Sequence, residues 1–352
     1  MKSFFAKYNI ANNVVAVGVS GGADSLALVM RLHDAGIKVV ALTVDHGLRP
    51  ESRNEAEYVA SIMKKNGIEH HILTWDGDKP TASIEEMARQ ARYKLMFDFC
   101  KRHNVSILAT GHHRRDQAET FLMRLQRGSG VFGLSGILPL SERDGITIIR
   151  PQLEDDPEEL KDYLRAKSVV WIEDPMNESE DFLRVKIRKF LPELKKIGID
   201  EKRLAETAST ICKTRMFLQN NVDLFINNHV RSWDGVVAAL SWKLLNEQPL
   251  EIAMLILGQL VKKIGKAEYL PEADEINRIL SLGNDFKGCT LGNCEIFIAT
   301  KRLWIIPQDK ENELMTKFEW ERFEEEYPVY RNSGFPYKVR RALKKYVKEN
   351  NG

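Results

Sequence analysis

The chain has 352 residues, of which 43% are hydrophobic and 29% charged, and its formal net charge is +2. This composition is ordinary for a folded globular protein and excludes a disordered chain or a disulfide-stabilised miniature domain, because the length suffices to bury a large core. The nearly balanced charge gives no general indication of nucleic-acid binding. Any such role therefore depends on local clusters of basic residues.

Cysteine usage and hydropathy indicate the compartment. Four cysteines are too few for a disulfide framework in a chain of this length. The sequence has no run of about 20 apolar residues that could cross a membrane, and its first residues lack the apolar core of a secretory signal. These features predict a cytoplasmic protein with no membrane-spanning segment.

The first part of the chain alternates short apolar runs with amphipathic segments. Buried strands are predicted at 14–19, 39–44, 70–74 and 106–110, and helices at 25–35, 52–66, 83–103 and 114–127. Capping boxes are predicted for two of these helices, from the pairs Ser52 with Glu55 and Ser83 with Glu86. This alternation predicts an α/β fold with a parallel sheet covered on both faces, whose ligands bind at the carboxyl ends of the strands.

The remainder of the chain changes character. Residues 128–151 are predicted to be a loop with one strand at 146–149, followed by a helix at 157–166. The strand signal stops at about residue 201, and helical periodicity predicts a smaller helical domain at 201–285. A short β-hairpin is predicted at 294–306, and the end carries a basic tail at 331–348. We therefore expect three parts, at 1–200, 201–285 and 286–352.

A glycine-rich hexapeptide follows the first predicted strand and consists of Ser20, Gly21, Gly22, Ala23, Asp24 and Ser25. Two glycines allow the backbone to turn tightly and to approach an anion, and the start of the following helix favours negative charge. The serine hydroxyls add donors. A carboxylate beside phosphates is explained if Asp24 binds a bridging Mg²⁺. The alternative is a plain strand-to-helix turn capped by serine or aspartate.

The hexapeptide resembles the SGGxDS loop of the PP-loop (N-type) ATP pyrophosphatases. It lacks the lysine of a Walker loop and the third glycine of a dinucleotide fingerprint. Further motifs within residues 14–192 resemble those of the tRNA(Ile)-lysidine synthetases within that family. These motifs are TVDHGLR at 43–49, EMAR at 86–89, GHHRRDQAET at 111–120, RGSG at 127–130, and DP at 174–175 with Asn177. Arg115 departs from the family pattern, in which a smaller or acidic residue is expected.

The resemblance implies an adenine nucleotide α-hydrolase-like fold and a carbon–nitrogen ligase that uses ATP and Mg²⁺. ATP would adenylate the C2 carbonyl oxygen of the wobble cytidine in an isoleucine tRNA with a CAU anticodon. Free L-lysine would then attack C2 through its ε-amine, giving lysidine, AMP and pyrophosphate. A homodimer is compatible with this resemblance, although the sequence does not fix the oligomeric state.

Other functions are open to a PP-loop protein. A 2-thiolation enzyme is the main alternative, but such enzymes typically carry Cys-x-x-Cys pairs, which this sequence lacks. A module that only senses ATP would leave the motifs at 111–120 and 127–130 without a task. Amide transfer from glutamine would require a glutaminase partner or domain.

The implied reaction needs cations and N–H donors at the α-phosphate, a base or desolvation for the lysine ε-nitrogen, and an arginine for its carboxylate. The candidate catalytic residues are Asp45, Arg92, His112, Asp116, Glu119 and Arg124. Simpler alternatives exist for some of them. Asp45 could cap a turn, Glu119 could form a surface pair with Arg115, and His112 with His113 could bind a metal.

Recognition of a tRNA requires phosphate contacts away from the reacting base. Candidate RNA-binding residues are Arg127, Arg184, Lys186, Arg188 and Lys189, and the basic tail at 331–348 is a second candidate patch. The alternative for each cluster is a solvated helix face. By the resemblance, the helical domain at 201–285 is expected to bind tRNA.

Overall fold

The computed structural model describes residues 1–10, 14–48, 50–76, 84–173, 183–267, 269–308, 317–331 and 334–351. The chain divides into two compact units, Met1–Arg215 and Met216–Gly352. The three-part division at residues 200 and 285 stays a prediction. Ser83, Arg49 and the motif residues at 174–177 lie outside the described residues, as do the side chain of Glu86 and residues 332–333 of the basic tail.

The first unit contains a six-stranded sheet. Its strands are β1 (Val15–Gly18), β2 (Val39–Asp45), β3 (Glu69–Thr74), β4 (Ile107–Ala109), β5 (Leu140–Arg143) and β6 (Ile146–Ile149). The spatial order is β3-β2-β1-β4-β6-β5, and neighbours run parallel except for β5 with β6. The order reverses at β1, which has β2 on one side and β4 on the other. Such a switch point leaves a crevice at the carboxyl ends of the strands, where ligands of parallel sheets bind.

Helices connect and cover these strands. They are α1 (Lys2–Lys7), α2 (Ala23–Asp34), α3 (Ser52–Lys65), α4 (Ile84–Arg102), α5 (Arg114–Gln126), α6 (Val131–Leu134), α7 (Pro157–Ala166), α8 (Leu183–Lys196) and α9 (Glu201–His229), the last of which continues into the second unit. Alternate strand residues point to opposite faces. Val15 and Val17 therefore pack with α2, α3 and α7, whereas Ala16 packs with α4. The predicted parallel sheet with two covered faces is confirmed.

The structure differs locally from the sequence-based predictions for the first unit. The capping box at Ser52 is wrong, because α3 begins at Ser52 itself, with Glu51 at the N-cap position and no side-chain cap. The Ser52 hydroxyl donates instead to the Asp45 carboxylate at the end of β2. The strand at 146–149 is confirmed, but the supposed loop before it also contains α6 and β5. The sequence of β5, LSER, has too little apolar character to predict a strand.

The second unit contains a five-stranded antiparallel sheet in the order β7-β8-β11-β10-β9. Its strands are β7 (Arg231–Trp233), β8 (Val237–Leu240), β9 (Gly288–Leu291), β10 (Cys294–Ala299) and β11 (Arg302–Pro307). The predicted hairpin is confirmed as β10 and β11. The expectation that strands stop at residue 201 is wrong, because β7 and β8 extend this hairpin into a larger sheet. The periodicity of a short apolar run such as VVAAL at 236–240 does not distinguish a strand from a helix.

Helices cover both faces of this second sheet. They are α10 (Trp242–Asn246), α11 (Leu250–Ile264), α12 (Ala273–Ser281), α13 (Lys317–Glu326) and α14 (Tyr337–Asn351). Leu303 and Ile305 of β11 pack with α11 and α12, and Trp304 and Ile306 pack with α13 and α14. From Tyr337 onward, the basic tail forms helix α14 against the sheet. Within the described ranges, no helix is both long enough and apolar enough to span a membrane.

The core around β4 gives a direct test of this fold. Leu108 is 0% exposed and packs in the core between the sheet and α4. Leu108→Ala is expected to lower the free energy of unfolding by about 2–5 kcal/mol, because it leaves a cavity in a packed core. Urea denaturation followed by circular dichroism measures this change. Leu125→Ala, at a site 52% exposed, is the control and is expected to change it by less than about 0.5 kcal/mol. Equal effects of the two changes would contradict the burial described here.

Candidate active site

The hexapeptide after β1 is a closed turn that continues into α2. The backbone N–H of Ser20 donates to Ser25 Oγ (3.1 Å), and Ser25 Oγ donates to the Gly22 carbonyl (3.0 Å). Gly21 has a φ of +89°, a conformation that favours glycine. Its carbonyl accepts a hydrogen bond from the Ile172 N–H (2.9 Å). The two serine hydroxyls also lie within hydrogen-bond distance of each other (3.3 Å). Because both serine side chains are used to close the turn, the loop offers the backbone N–H groups at the start of α2 to an anion.

The turn after β4 lies directly against this loop. A Cβ atom on Gly111 would lie 3.0 Å from the Asp24 carbonyl carbon and 3.0 Å from the Ser25 nitrogen. Only a glycine allows the two backbones to approach so closely without displacement. This contact brings the residues that follow β4 to the same place as the predicted phosphate loop.

His113 connects the turn after β4 to the phosphate loop through polar contacts. Its backbone N–H donates to Asp116 Oδ2 (3.0 Å), and its Nδ1 accepts the N–H of Arg115 (3.2 Å), which forms a capping box at the start of α5. The ring proton is therefore on Nε2, which lies 3.4 Å from Asp24 Oδ2 and 3.6 Å from Asp116 Oδ2. Burial acts to lower the pKa of His113, but the hydrogen bond to Asp24 and the charge of Asp116 outweigh it, so the pKa is raised.

These segments surround a cavity of about 250 Å³ at the switch point of the sheet. The phosphate loop, the end of β2 and the turn after β4 all contribute to its wall. The predicted site residues among its lining are Ser20, Gly22, Asp24, Ser25, Arg92, His112, Asp116 and Arg184. The structure therefore brings together most of the loop with two predicted catalytic groups from the region after β4, one from α4 and one predicted RNA-binding arginine.

His112 is a neutral group in this cavity. Its Nδ1 shares a hydrogen bond with Thr110 Oγ1 (2.9 Å). Burial lowers the pKa of His112 to about 4, opposed by the charge of Asp116 and supported by nearby arginines. At neutral pH the imidazole is therefore uncharged, and it serves as a hydrogen-bonding partner rather than as a cation.

Glu119 is paired differently from the surface-pair alternative. Its side chain is 0% exposed, and Glu119 Oε1 accepts a hydrogen bond from Arg188 Nε of α8 (2.5 Å). Arg115 pairs with Glu201 instead (2.9 Å). Burial raises the pKa of Glu119, and the Arg188 guanidinium partly offsets this effect. The pairing of Glu119 with Arg115 is therefore wrong, and Glu119 connects two helices inside the protein.

The other predicted site residues lie outside the described lining of the cavity. Asp45 is buried and accepts hydrogen bonds from Ser52 Oγ and the Gly47 N–H, as the turn-cap alternative expects. Arg124 and Arg127 are exposed near the end of α5. Lys186 and Lys189 are exposed on α8. The catalytic and RNA-binding roles assigned to these residues stay predictions.

Several residues that contribute to the site were given no site role from the sequence, although Arg89 and Gln117 stand in the motifs quoted above. Arg89 and Tyr93 of α4 line the cavity beside Arg92, and the Arg89 guanidinium lies 5.3 Å from the Tyr93 ring centre. Their spacing on one helix face, in a segment rich in motif residues, was the available signal. Gln117 was also missed. Its amide donates to the Ile137 carbonyl (3.0 Å) and accepts the Ile137 N–H (2.6 Å), which fixes the segment after α6.

Asp24 is the residue best placed to hold a cation. Its carboxylate is 40% exposed and lines the cavity. Among the described residues, no group of three or more His, Cys, Asp or Glu side chains is arranged to bind a metal. Mg²⁺ requires no such group, because it is commonly bound by one or two carboxylates together with substrate phosphates and water. The residues present therefore fit a magnesium ion that arrives with a nucleotide.

Comparison with known proteins agrees with this geometry. Residues 1–194 match the PP-loop domain family. A tRNA(Ile)-lysidine synthase from Ruegeria pomeroyi is 37% identical over 86% of this chain and 73% of its own length. One from Wolbachia pipientis is 37% identical over 81% of this chain and 68% of its own. A third, from Hyphomonas neptunium, is 36% identical over 84% and 81%. The chain is thus a PP-loop protein, and within that class it belongs to the tRNA(Ile)-lysidine synthase family.

The contact between Gly111 and the phosphate loop gives a prediction for nucleotide binding. Gly111→Ala is expected to weaken the binding of a nonhydrolysable ATP analogue by about tenfold or more, because it displaces N–H donors whose bonds to charged groups contribute about 1.5–3 kcal/mol. Isothermal titration calorimetry measures the affinity. Gly130→Ala is the control, since a Cβ there meets nothing within 4 Å. Unchanged binding by Gly111→Ala would show that the contact is not required.

The lowered pKa of His112 gives a prediction for stability against pH. Below about pH 6.5 the unfolded chain binds a proton at this histidine, whereas the folded chain does so only near its pKa of about 4. The contribution of the His112 imidazole to the free energy of unfolding is therefore fully present above about pH 6.5 and is lost as the pH falls toward 4. His112→Gln is expected to lose less unfolding free energy than the wild type over this range, measured by urea denaturation. His33→Gln, at an exposed site, is the control, and an equal loss in wild type and His112→Gln would contradict the assignment.

Proposed function

We propose that this protein uses ATP to convert the wobble cytidine of tRNA(Ile) with a CAU anticodon into lysidine, a ligation that forms a carbon–nitrogen bond with free L-lysine. The observation that supports this proposal best is the cavity at the switch point. There the phosphate loop, the neutral His112 and the Asp116 carboxylate meet, in a chain of the tRNA(Ile)-lysidine synthase family.

The first step is adenylation of the base. The C2 carbonyl oxygen of cytidine attacks the α-phosphorus of ATP, the bond from that phosphorus to the bridging oxygen breaks, and pyrophosphate leaves. The loop N–H groups at the start of α2 would hold the departing pyrophosphate. Arg92 lines the cavity and would stabilise charge on the transferred phosphate. A magnesium ion held by Asp24 would neutralise phosphate charge when bound.

The second step is attack by lysine. The ε-ammonium first gives one proton to a base. The neutral ε-nitrogen then bonds to C2, the bond from C2 to the phosphate oxygen breaks, AMP leaves, and the nitrogen gives up a second proton. Asp116 is the carboxylate available as this base, since it lines the cavity and the other lining carboxylate, Asp24, is assigned to the cation. His112 lines the same cavity, and its pKa of about 4 makes it no stronger a base than a carboxylate. Glu119 is already occupied by Arg188.

The 2-thiolation alternative has little support. The sequence has no Cys-x-x-Cys pair, and Cys100, Cys212, Cys289 and Cys294 are free thiols in the described structure. Burial raises the pKa of each of these thiols, which makes them poor nucleophiles. Free thiols agree with a reducing compartment, and we propose that the protein acts in the cytoplasm, where tRNA, ATP and lysine are available.

The proposal is tested with labelled lysine. Purified protein is expected to incorporate radiolabelled lysine into CAU-anticodon tRNA(Ile) with ATP, and to catalyse exchange between ATP and pyrophosphate in the presence of the tRNA. Asp24→Asn is expected to slow both by about a hundredfold, because the change removes the carboxylate placed to anchor the cation. Asp98→Asn, at an exposed site on α4, is the control with unchanged rates.

The outcomes separate the parts of the proposal. Adenylation of the tRNA without lysine incorporation would rule out lysidine formation and leave another PP-loop modification. Full activity of Asp24→Asn would remove the cation-binding role from Asp24 while leaving the overall reaction intact.

A further inference from the structure

The buried ion pair between Glu119 and Arg188 fixes how α8 lies on α5. Glu119 is 0% exposed, and both its oxygens face the Arg188 guanidinium, at 2.5 Å from Nε and 3.5 Å from Nη2. Leu191, on the same helix, packs with Ala118 and Phe121 of α5. An ion pair and an apolar contact on one helix face together prevent α8 from rotating about its axis.

This attachment determines where Arg184 lies. Arg184 precedes Arg188 by one helical turn and therefore projects from the same face of α8. It lines the cavity together with Ser20 and Gly22 of the phosphate loop. The charge of Arg184 also acts on His112 and Glu119. The basic cluster predicted to contact RNA is thus divided, because Lys186 and Lys189, which are exposed like Arg184, lie outside the described lining of the cavity.

The chemistry of the cavity favours a phosphate partner for Arg184. A guanidinium binds phosphate oxygens through paired hydrogen bonds, with better geometry than an ammonium group offers. Arg89 and Arg92 come from α4, so Arg184 is the contribution of α8 to the lining. A cation from a second helix would let the cavity hold a phosphate chain between two elements.

We propose that Arg184 contacts the phosphate chain of the bound nucleotide, and that Glu119 is a positioning residue that acts through Arg188 to hold Arg184 in place. This inference rests on the proposed function, because it takes ATP as the occupant of the cavity. It reassigns one member of the predicted RNA-binding cluster to nucleotide binding and gives the buried Glu119 a role that requires no contact with substrate.

Calorimetry with two ligands tests the contact of Arg184. Arg184→Gln is expected to weaken binding of α,β-methylene ATP with Mg²⁺ by about tenfold, the size expected for a hydrogen bond to a charged group. Binding of adenosine is expected to be unchanged, since adenosine has no phosphates. The control is Lys195→Gln, which changes an exposed cation near the other end of α8, outside the described lining, and is expected to bind both ligands like the wild type. An unchanged affinity of Arg184→Gln for the analogue, with weakened tRNA binding, would overturn the proposal in favour of an RNA contact.

A double-mutant cycle tests the positioning role of Glu119. Glu119→Gln is expected to weaken analogue binding by roughly threefold, a part of the loss caused by Arg184→Gln. In the Arg184→Gln background, Glu119→Gln is expected to have no further effect on analogue binding, because Glu119 affects the ligand only through the position of Arg184. Independent, multiplicative losses would instead show that Glu119 contacts the ligand or acts by another route, and would overturn the positioning role.

One further measurement and one reserve variant keep the double-mutant cycle interpretable. Thermal unfolding of each variant identifies any that fails to fold. In that case Arg188→Lys, which keeps the charge but loses the paired geometry, replaces Glu119→Gln in the cycle. Failure of the wild type itself to bind the analogue would contradict the proposed function, whereas normal lysidine formation with an unaffected Arg184→Gln would contradict only this inference.

Discussion

The contact between two backbones, at Gly111 and at the first turn of α2, is the constraint on which the rest of the site depends. It holds the turn after β4 against the first turn of α2, with no room for a side chain between them. The groups that follow β4 therefore reach the phosphate loop. His113 can touch Asp24, and Thr110 and His112 can line the cavity, only because these two turns meet.

Polar residues of helix α5 connect this contact to other segments of the first unit. Its first two turns face several parts of the chain at once. Asp116 points to the cavity and caps the helix, Gln117 fixes the backbone at Ile137, and Glu119 binds Arg188 of α8. The density of polar residues at 111–120 thus has a structural explanation. Each turn of this helix presents polar groups to different neighbours, and few of those groups are free to vary independently.

Much of the fold of the first unit and of the location of the candidate site could be predicted from the sequence. Strands and helices of the first unit follow from hydrophobic periodicity, and the position of the motifs at strand ends follows from the parallel sheet. The failures have a common physical origin. The partner of Glu119 lies 69 residues away, whereas the local rule for helix pairs reaches only Arg115, which was the surface-pair alternative. Ser52 was assigned to its helix, but a carboxylate on the preceding strand competes for its hydroxyl. Strands β7 and β8 are too short for their hydrophobic pattern to distinguish them from helix, and they are defined by pairing, β8 with β11 and β7 with β8.

The position of His113 has a consequence for the coupling between ligand and fold. One imidazole uses Nδ1 to close the first turn of α5 and presents Nε2–H to the Asp24 carboxylate. A cation that arrives with the nucleotide and takes over Asp24 would remove one partner of that ring. The loss of this partner would affect the order of the first turn of α5. Through Gln117 and Glu119, it would also affect the segments that this helix supports. Occupation of the cavity and the order of the surrounding chain would in this way be thermodynamically linked through a single side chain.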